Sequence, residues 1–253
     1  MPFIEIWVYF QDDYSTFAAM RRLLAVMIIT LMWSMVSAQE KNFGSWTTLN
    51  LKYKPNDTWS AYGEFQARSL QLYDMFYYTE IKGGVTYSFL DDYSFTLGTG
   101  LYSTFKEGED YHGYTKQQEF RVWQQFIAEQ SISSVELEHR FRSEQRFTDS
   151  YANRFRYRLN ASIPINKKKM EAKTLYASIY DELFFADKIP HFSRNRFQMG
   201  GGYIFNEQLT LQIGWLRQVD YLETDVRRKN YLFTSLSFTL KNKSTFRAGS
   251  SPD

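Results

Sequence analysis

Charged side chains alternate with apolar ones between Val135 and Phe147, and this alternation is the strongest chemical signal in the sequence. The even positions of the segment carry only glutamate and arginine, whereas most odd positions are apolar. Because successive side chains of a β-strand point to opposite faces, one face of this segment would be charged and the other largely apolar. Such rows can form a buried ion-pair network, or they can line a water-filled path that selects solutes. The residues alone leave both interpretations open.

The charged face predicted for two consecutive strands carries more arginine than glutamate. It holds Arg140, Arg142, Arg146, Arg154, Arg156 and Arg158 against Glu136, Glu138 and Glu144. Arg194 and Arg196 add to the excess on a later strand, while Glu182 and Asp220 reduce it slightly. A positive excess in a narrow passage with low-dielectric walls concentrates anions. If the interior conducts, it should therefore prefer anions.

Ester or amide hydrolysis is the alternative chemistry. A serine nucleophile needs a histidine base within hydrogen-bonding reach, and that base needs an orienting group. His191 and Ser193 lie two residues apart in a predicted loop, and His139 and Ser143 share one face of a predicted strand. No neighbouring carboxylate is spaced to orient His191, and His139 is predicted to face lipid, so both pairs are short-motif matches without supporting geometry. An outer-membrane lipid hydrolase of the lipase or deacylase type is therefore the second hypothesis, and we assign no catalytic residue.

The composition excludes several other classes of protein. The chain of 253 residues has no cysteine and a formal net charge of +2. It therefore has no disulfide framework and no thiolate metal site, and its charge does not indicate a nucleic-acid partner. Glycine-rich phosphate loops, HExxH motifs and calcium loops are also missing from the sequence. We predict no cofactor and no metal.

Eleven segments with period-two alternation follow one another from Phe43 to Leu240. They cover 43–54, 58–70, 76–89, 93–105, 119–128, 135–147, 154–163, 173–184, 194–205, 209–220 and 228–240. Bacterial single-chain barrels have even strand numbers. Either Phe43–Lys54 does not span, which leaves ten strands, or one strand is missed or merged, which gives twelve. The predicted fold class is all-β, an up-and-down antiparallel transmembrane barrel of ten to twelve strands formed by residues 39–240.

Connections between these segments are predicted to alternate between short and long. Short turns are predicted at 55–57, 91–92, 130–132 and 206–208, with the lysine-rich segment 164–172 on the same side. Longer loops are predicted near 71–75, 106–113, 148–150, 185–193 and 221–227. Outer-membrane barrels place short turns in the periplasm and long loops outside.

The N-terminus resembles a secretory signal. Arg21 and Arg22 precede an apolar run from Leu23 to Val36, and small residues follow up to Ala38. A basic start, a short apolar core and a small-residue ending are typical of a cleavable signal peptide. We predict that residues 1–38 comprise an extension and a signal peptide, with Met20 as a possible true start. The tail 241–253 is predicted to be disordered.

Period-two alternation also fits a water-soluble barrel or sandwich with its apolar face inward. Three features favour the membrane. Aromatic residues make up 19% of the chain, the strands exceed the roughly 9–11 residues that a tilted membrane strand needs, and glycine pairs lie within strands, where barrels bend.

Several strand motifs resemble a known Gram-negative family. They are Trp46-Thr47-x-Leu49-x-Leu51-x-Tyr53, Trp59-Ser60 with Glu64 and Arg68, Leu137-Glu138-His139-Arg140-Phe141-Arg142, and Arg154-Phe155-Arg156-Tyr157-Arg158-Leu159. The family is the domain of unknown function 2490. The resemblance implies an outer-membrane β-barrel and supplies no activity.

These observations predict an outer-membrane barrel with a charged lumen and a structural or small-solute pore role. The residues expected to line the lumen are Glu64, Arg68, Glu80, Lys82, Glu119, Arg121, Glu136, Glu138, Arg140, Arg142, Glu144, Arg146, Arg154, Arg156, Arg158, Arg194 and Arg196. The expected partners are outer-membrane lipid, lipopolysaccharide and the barrel-insertion machinery, while a specific ligand stays unknown.

Overall fold

The described part of the chain is a closed β-barrel. The computed structural model describes residues 43–106 and 115–242. The predicted signal peptide and the tail beyond Asn242 lie outside these residues. The tail was expected to begin at Lys241, but Lys241 is the last residue of the final strand.

Eleven strands form the barrel wall. They are β1 (Phe43–Lys54), β2 (Trp59–Gln71), β3 (Asp74–Leu90), β4 (Tyr93–Phe105), β5 (Thr115–Ile132), β6 (Val135–Phe147), β7 (Tyr151–Pro164), β8 (Thr174–Ala186), β9 (Phe192–Ile204), β10 (Leu209–Tyr221) and β11 (Val226–Lys241). Their order around the barrel follows the sequence. The described residues contain no helix long and apolar enough to cross a membrane.

An odd number of strands closes because the first and last strands run in the same direction. β1 pairs with β11 in parallel, from Phe43 opposite Asn230 to Lys54 opposite Lys241, whereas every other neighbouring pair is antiparallel. The prediction of an all-β, up-and-down barrel is confirmed. Both sequence-based reasons for an even count were wrong, because β1 is a full member of the wall and the described residues contain no twelfth strand.

The barrel wall is apolar outside and polar inside. Every strand exposes at least one large apolar side chain, such as Leu49 on β1, Leu97 on β4 and Ile213 on β10. Most residues buried inside are polar or charged, including Glu144 and Glu182. A water-soluble barrel has the reverse arrangement, since its core is built from apolar side chains.

One local irregularity reverses the expected direction of a side chain. Tyr77 belongs to the apolar parity of β3, but the pairing with β2 shifts between Arg68 and Ser69. This shift turns Tyr77 inward, where its ring is buried and its hydroxyl lies 2.7 Å from that of Tyr231. A bulge of this kind adds one residue to a strand and changes which face the next side chains occupy.

The connections do not differ in length as the sequence suggested. We call the end at which β1 begins the upper end. Its connection at 72–73 is as tight as the lower turns at 91–92 and 133–134, whereas the lower connection 165–173 is long. The turn predicted at 130–132 was misplaced, because β5 continues through Ile132 and the chain reverses at Ser133, whose φ is 57°. Loop length therefore does not assign the two ends to sides of a membrane.

Candidate functional site

The charged face of the strands encloses a cavity of about 630 Å³ inside the barrel. Fourteen of the seventeen predicted residues contribute to its wall: Glu64, Arg68, Glu80, Lys82, Glu119, Arg121, Arg140, Arg142, Arg146, Arg154, Arg156, Arg158, Arg194 and Arg196. Three do not. Glu144 points inward but is fully covered by the arginines that bind it, and Glu138 is half-buried and binds Arg158 at 2.5 Å. Glu136 is exposed, because it is the second residue of β6 and lies at the lower rim.

Glu144 holds several arginines together and is itself fully buried. Arg154 donates to its Oε2 from Nε at 2.9 Å and from Nη2 at 2.5 Å, and Arg156 donates to its Oε1 at 2.5 Å. The guanidinium groups of Arg142 and Arg121 lie 3.7 Å and 3.9 Å away. One carboxylate thus faces arginines from β5, β6 and β7, which fixes three strands relative to one another.

Glu182 on β8 is the second carboxylate of this type. It accepts hydrogen bonds from Arg156 at 2.7 Å and 3.1 Å, and a further one from Arg140. The Arg140 contact passes over β7, since Arg140 lies on β6. The sequence predicted only a minor role for Glu182, because a contact that crosses an intervening strand leaves no mark in a local pattern.

Two further groups of ion pairs occupy other sectors of the wall. Glu80 accepts from Arg68 at 3.1 Å, from Lys82 at 2.5 Å and from the Tyr78 hydroxyl at 2.8 Å. Glu119 accepts from Arg121 through both of its oxygens and also from Arg146. Nearly all of these side chains are buried, and buried charges need such partners.

Aromatic rings fill the spaces between the charges. The guanidinium carbon of Arg68 lies 3.5 Å from the centroid of the Trp46 ring, and that of Arg121 lies 3.6 Å from the Tyr102 ring. Four guanidinium groups surround the fully buried ring of Phe184: those of Arg154, Arg156, Arg194 and Arg196, at 4.5–5.7 Å. These rings bind cations through their negative faces.

Sequence reasoning missed the aromatic residues of the interior, although a signal was present. Phe184 has the same parity as Glu182, and Trp123 has the same parity as Arg121. An aromatic residue on an otherwise charged face is a candidate for cation–π packing. The alternation rule assigns aromatic residues to the apolar face, so it did not place these two in the interior.

The cavity wall carries more positive than negative charge. Twelve cationic side chains contribute to it: Arg68, Lys82, Arg121, Arg140, Arg142, Arg146, Arg154, Arg156, Arg158, Arg194, Arg196 and Lys229. Five carboxylates contribute, namely Glu64, Glu80, Glu119, Glu182 and Asp220. Glu138 and Glu144, which are not part of the cavity wall, reduce the excess without removing it.

The described residues contain no assembled serine–histidine site for the alternative chemistry, hydrolysis. His139 Nδ1 lies 2.9 Å from the Tyr157 hydroxyl on the outer wall, and His191 Nδ1 lies 3.2 Å from the carbonyl oxygen of Ala186. Ser193 belongs to β9 and not to the predicted loop, and its hydroxyl donates to the carbonyl oxygen of Phe184. His112 lies outside the described residues. Within residues 43–106 and 115–242, no group of acidic and histidine side chains could hold a metal ion.

The comparison with protein families matches residues 43–230 to the family described as "Protein of unknown function (DUF2490)". The chain belongs to this family. The match runs from β1 into β11, and it includes all seventeen predicted lumen residues. The family assignment expected from the strand motifs is therefore confirmed.

No curated protein matches the chain. Among solved structures, the chain is similar to LpxR from Salmonella typhimurium, with 8% sequence identity and a TM-score of 0.47. That alignment covers 76% of this chain and 87% of the LpxR chain. The DUF2490 family has no assigned activity, so a function must be argued from the barrel itself.

Proposed function

We propose that this protein is an outer-membrane β-barrel of a Gram-negative bacterium and that its interior admits small anions. The single observation that carries the anion preference is the wall of the cavity, where twelve cationic side chains face five carboxylates. In a narrow space bounded by low-dielectric walls, such an excess attracts anions and repels cations.

The distribution of apolar side chains supports the membrane location. Large apolar residues are exposed on the outer face of all eleven strands, including Ile81 at 64% and Leu101 at 61%. An apolar band of this extent is unfavourable in water and favourable in lipid. The strands have 12–18 residues, which exceeds the roughly 9–11 residues that a tilted membrane strand needs.

Aromatic residues on the outer face support the same location. At the lower end, Trp59 contacts Tyr87 with their ring centroids 4.9 Å apart, and Phe89 stacks on Tyr93 at 6.1 Å. Rings of this kind are enriched where a membrane meets water. In this setting the partners are outer-membrane lipid and lipopolysaccharide, and the barrel-insertion machinery is the expected route into the membrane.

The ion-pair network and the anion-admitting space have separate roles. The carboxylates Glu144 and Glu182 accept hydrogen bonds from three of the six arginines of β6 and β7, namely Arg140, Arg154 and Arg156, and hold them in place. The cavity of about 630 Å³ remains open inside this network. The network therefore holds the interior side chains in place, and the excess of cationic side chains over carboxylates gives the cavity an affinity for anions.

Planar bilayers test this proposal. We expect the refolded protein to conduct and its reversal potential in a potassium chloride gradient to indicate anion preference. The preference should weaken at high salt, where the screening length falls to a few ångströms. Cation preference would overturn the charge argument. A folded barrel that passes no current would overturn the proposal that anions pass through the interior, and it would indicate a structural role for the charged network.

A further inference from the structure

Arg196 of β9 lies beside two aromatic rings in the barrel interior. Its guanidinium carbon lies 4.7 Å from the ring centroid of Trp46 and 4.7 Å from that of Phe184. Its side chain is 8% exposed, and it forms part of the cavity wall. Two rings from distant strands therefore position one guanidinium group, and its remaining exposure is toward the cavity.

The hydrogen-bonding partner of Arg196 is neutral. Its Nε donates to Oε1 of Gln218 at 2.9 Å, and the nearest carboxylate oxygen, Oε2 of Glu182, lies 3.7 Å from Nη1. The other oxygen of that carboxylate, Oε1, accepts hydrogen bonds from Arg140 and Arg156, so Arg196 shares the negative charge of Glu182 with two other arginines. The charge of Arg196 is therefore only partly balanced, although a buried charge needs a close partner of opposite sign.

A comparison with Arg156 makes the difference clear. Arg156 is similarly buried, but its guanidinium donates to two carboxylates, Glu144 and Glu182, at 2.5–3.1 Å. Within the described residues, the one hydrogen bond of Arg196 goes to Gln218. Among the described residues, the terminal Nη groups of Arg196 form no hydrogen bond, since Nη1 lies 3.7 Å from the Glu182 carboxylate, and they can therefore donate to a ligand in the cavity.

Other arginines lie beside the same rings, among them Arg68 and Arg194. Arg68 stacks on Trp46 at 3.5 Å, and Arg194 lies 5.7 Å from Phe184. The carboxylates beside them are engaged, because Asp220 accepts from Arg194 and Glu80 accepts from Arg68. The neighbouring charges therefore do not supply the counter-ion that Arg196 lacks.

We infer that Arg196 is the contact residue of a binding site for a phosphate-type oxyanion in the barrel interior. A guanidinium group matches two oxygens of a phosphate with two parallel N–H donors. The rings of Trp46 and Phe184 restrain the group, which reduces the entropy lost on binding. The inference rests on the proposed function in one respect, since it requires that anions reach the interior.

The oxyanion has two possible sources, inorganic phosphate and the phosphate group of a small organic molecule. The cavity of about 630 Å³ is within the range of roughly 300–1,000 Å³ that is common for small-molecule sites. Inorganic phosphate and glucose 6-phosphate distinguish the two sources: stronger stabilisation by glucose 6-phosphate than by phosphate would indicate an organic phosphate, and equal stabilisation would indicate the inorganic ion.

The test measures thermal unfolding of the refolded barrel in detergent with phosphate or chloride at equal ionic strength. A ligand that binds only the folded state raises the unfolding midpoint with its concentration. We expect phosphate to raise the midpoint of the parent protein more than chloride does. In Arg196→Gln we expect phosphate affinity to fall at least tenfold.

Arg217→Gln is the matched control. Arg217 lies on β10 with the outer-face residues and is exposed. Removing its charge should leave phosphate binding unchanged. Arg196→Lys keeps the charge but removes the planar fork, so its phosphate affinity should also fall while that of chloride does not.

The outcomes distinguish the oxyanion site at Arg196 from conduction of anions through the barrel interior. Equal protection of the parent by phosphate and chloride would overturn the site, and it would do so even if Arg196→Gln failed to fold. An equal loss of phosphate binding in Arg217→Gln would also overturn it. Phosphate protection that depends on Arg196, in a barrel that carries no current, would support the site and overturn the passage.

Discussion

Gly98 of β4 and Trp123 of β5 are directly paired, and the indole ring of Trp123 occupies the space beside the Gly98 Cα atom. A Cβ atom at position 98 would lie 2.0 Å from Cζ2 of Trp123. The indole is fully buried, and the guanidinium carbon of Arg142 lies 4.1 Å from its ring centroid. The glycine therefore determines where the tryptophan packs, and the tryptophan helps to position an arginine of the network.

The first prediction concerns this glycine. Gly98→Ala should reduce the free energy of unfolding by about 1–3 kcal/mol, because the rigid ring must move to admit a methyl group. Gly63→Ala is the control, since a Cβ atom at position 63 meets nothing within 4 Å. Urea titrations of the two refolded variants compare them. Equal stability of both would contradict the packing described for Trp123.

The second prediction concerns the carboxylate that joins three strands. Glu144→Gln should cost about 3–5 kcal/mol of stability, because it leaves the buried charges of Arg154 and Arg156 without their shared partner. Glu171→Gln is the control. Glu171 is exposed and pairs with Lys167 at 2.9 Å in the lower connection, so its loss should leave stability unchanged. Denaturant titration measures both, and a tolerant Glu144→Gln would show that the network is not needed for folding.

The third prediction tests the outer wall. Leu97 lies in the middle of β4 and Leu90 at the lower end of β3, with 55% and 60% exposure. In lipid, Leu97→Arg should cost about 2–4 kcal/mol, whereas Leu90→Arg near the interface should cost about 0–1 kcal/mol. Refolding titrations into phospholipid vesicles provide the measurement. If the two costs are equal, the outer wall does not face lipid.

The fourth prediction compares two aspartates on opposite faces. Asp181 of β8 is exposed on the outer wall, and its Oδ1 accepts from Asn195 at 2.7 Å. Asp220 of β10 lines the cavity and accepts hydrogen bonds from Arg194 and Gln218. Asp181→Leu should stabilise the barrel in vesicles because it removes a charge from lipid. Asp220→Leu should destabilise it, because it leaves Arg194 without its partner.

Vesicle refolding of the two leucine variants measures both effects. Stabilisation of Asp220→Leu would show that Arg194 has a sufficient partner elsewhere. A loss of stability in Asp181→Leu would show that the outer face near Asn195 contacts something more polar than acyl chains.

The sequence alone determined the strands and the direction of most side chains. The predicted limits of β1, β4 and β6 agree with the structure residue for residue. This information is local, because successive side chains of a strand point to opposite faces. A shift of one residue in the pairing would place all charges of a strand on the wrong face, so the pattern also restricts the register. Tyr77 is the exception, because a shift of pairing between two strands changes the alternation without a mark in either strand.

Only the tertiary structure decided how the barrel closes and which charges meet. The parallel pairing of β1 with β11 joins residues nearly 200 positions apart, such as Phe43 and Asn230, and no local pattern encodes it. The contact of Arg140 with Glu182 likewise crosses an intervening strand. The alternation of a strand specifies which face each charge occupies, but strand tilt and barrel width determine which charges come within hydrogen-bonding distance. For this reason the sequence predicted a positive interior, whereas the fold decided that Arg196 and Arg142 each donate to a glutamine and not to a carboxylate.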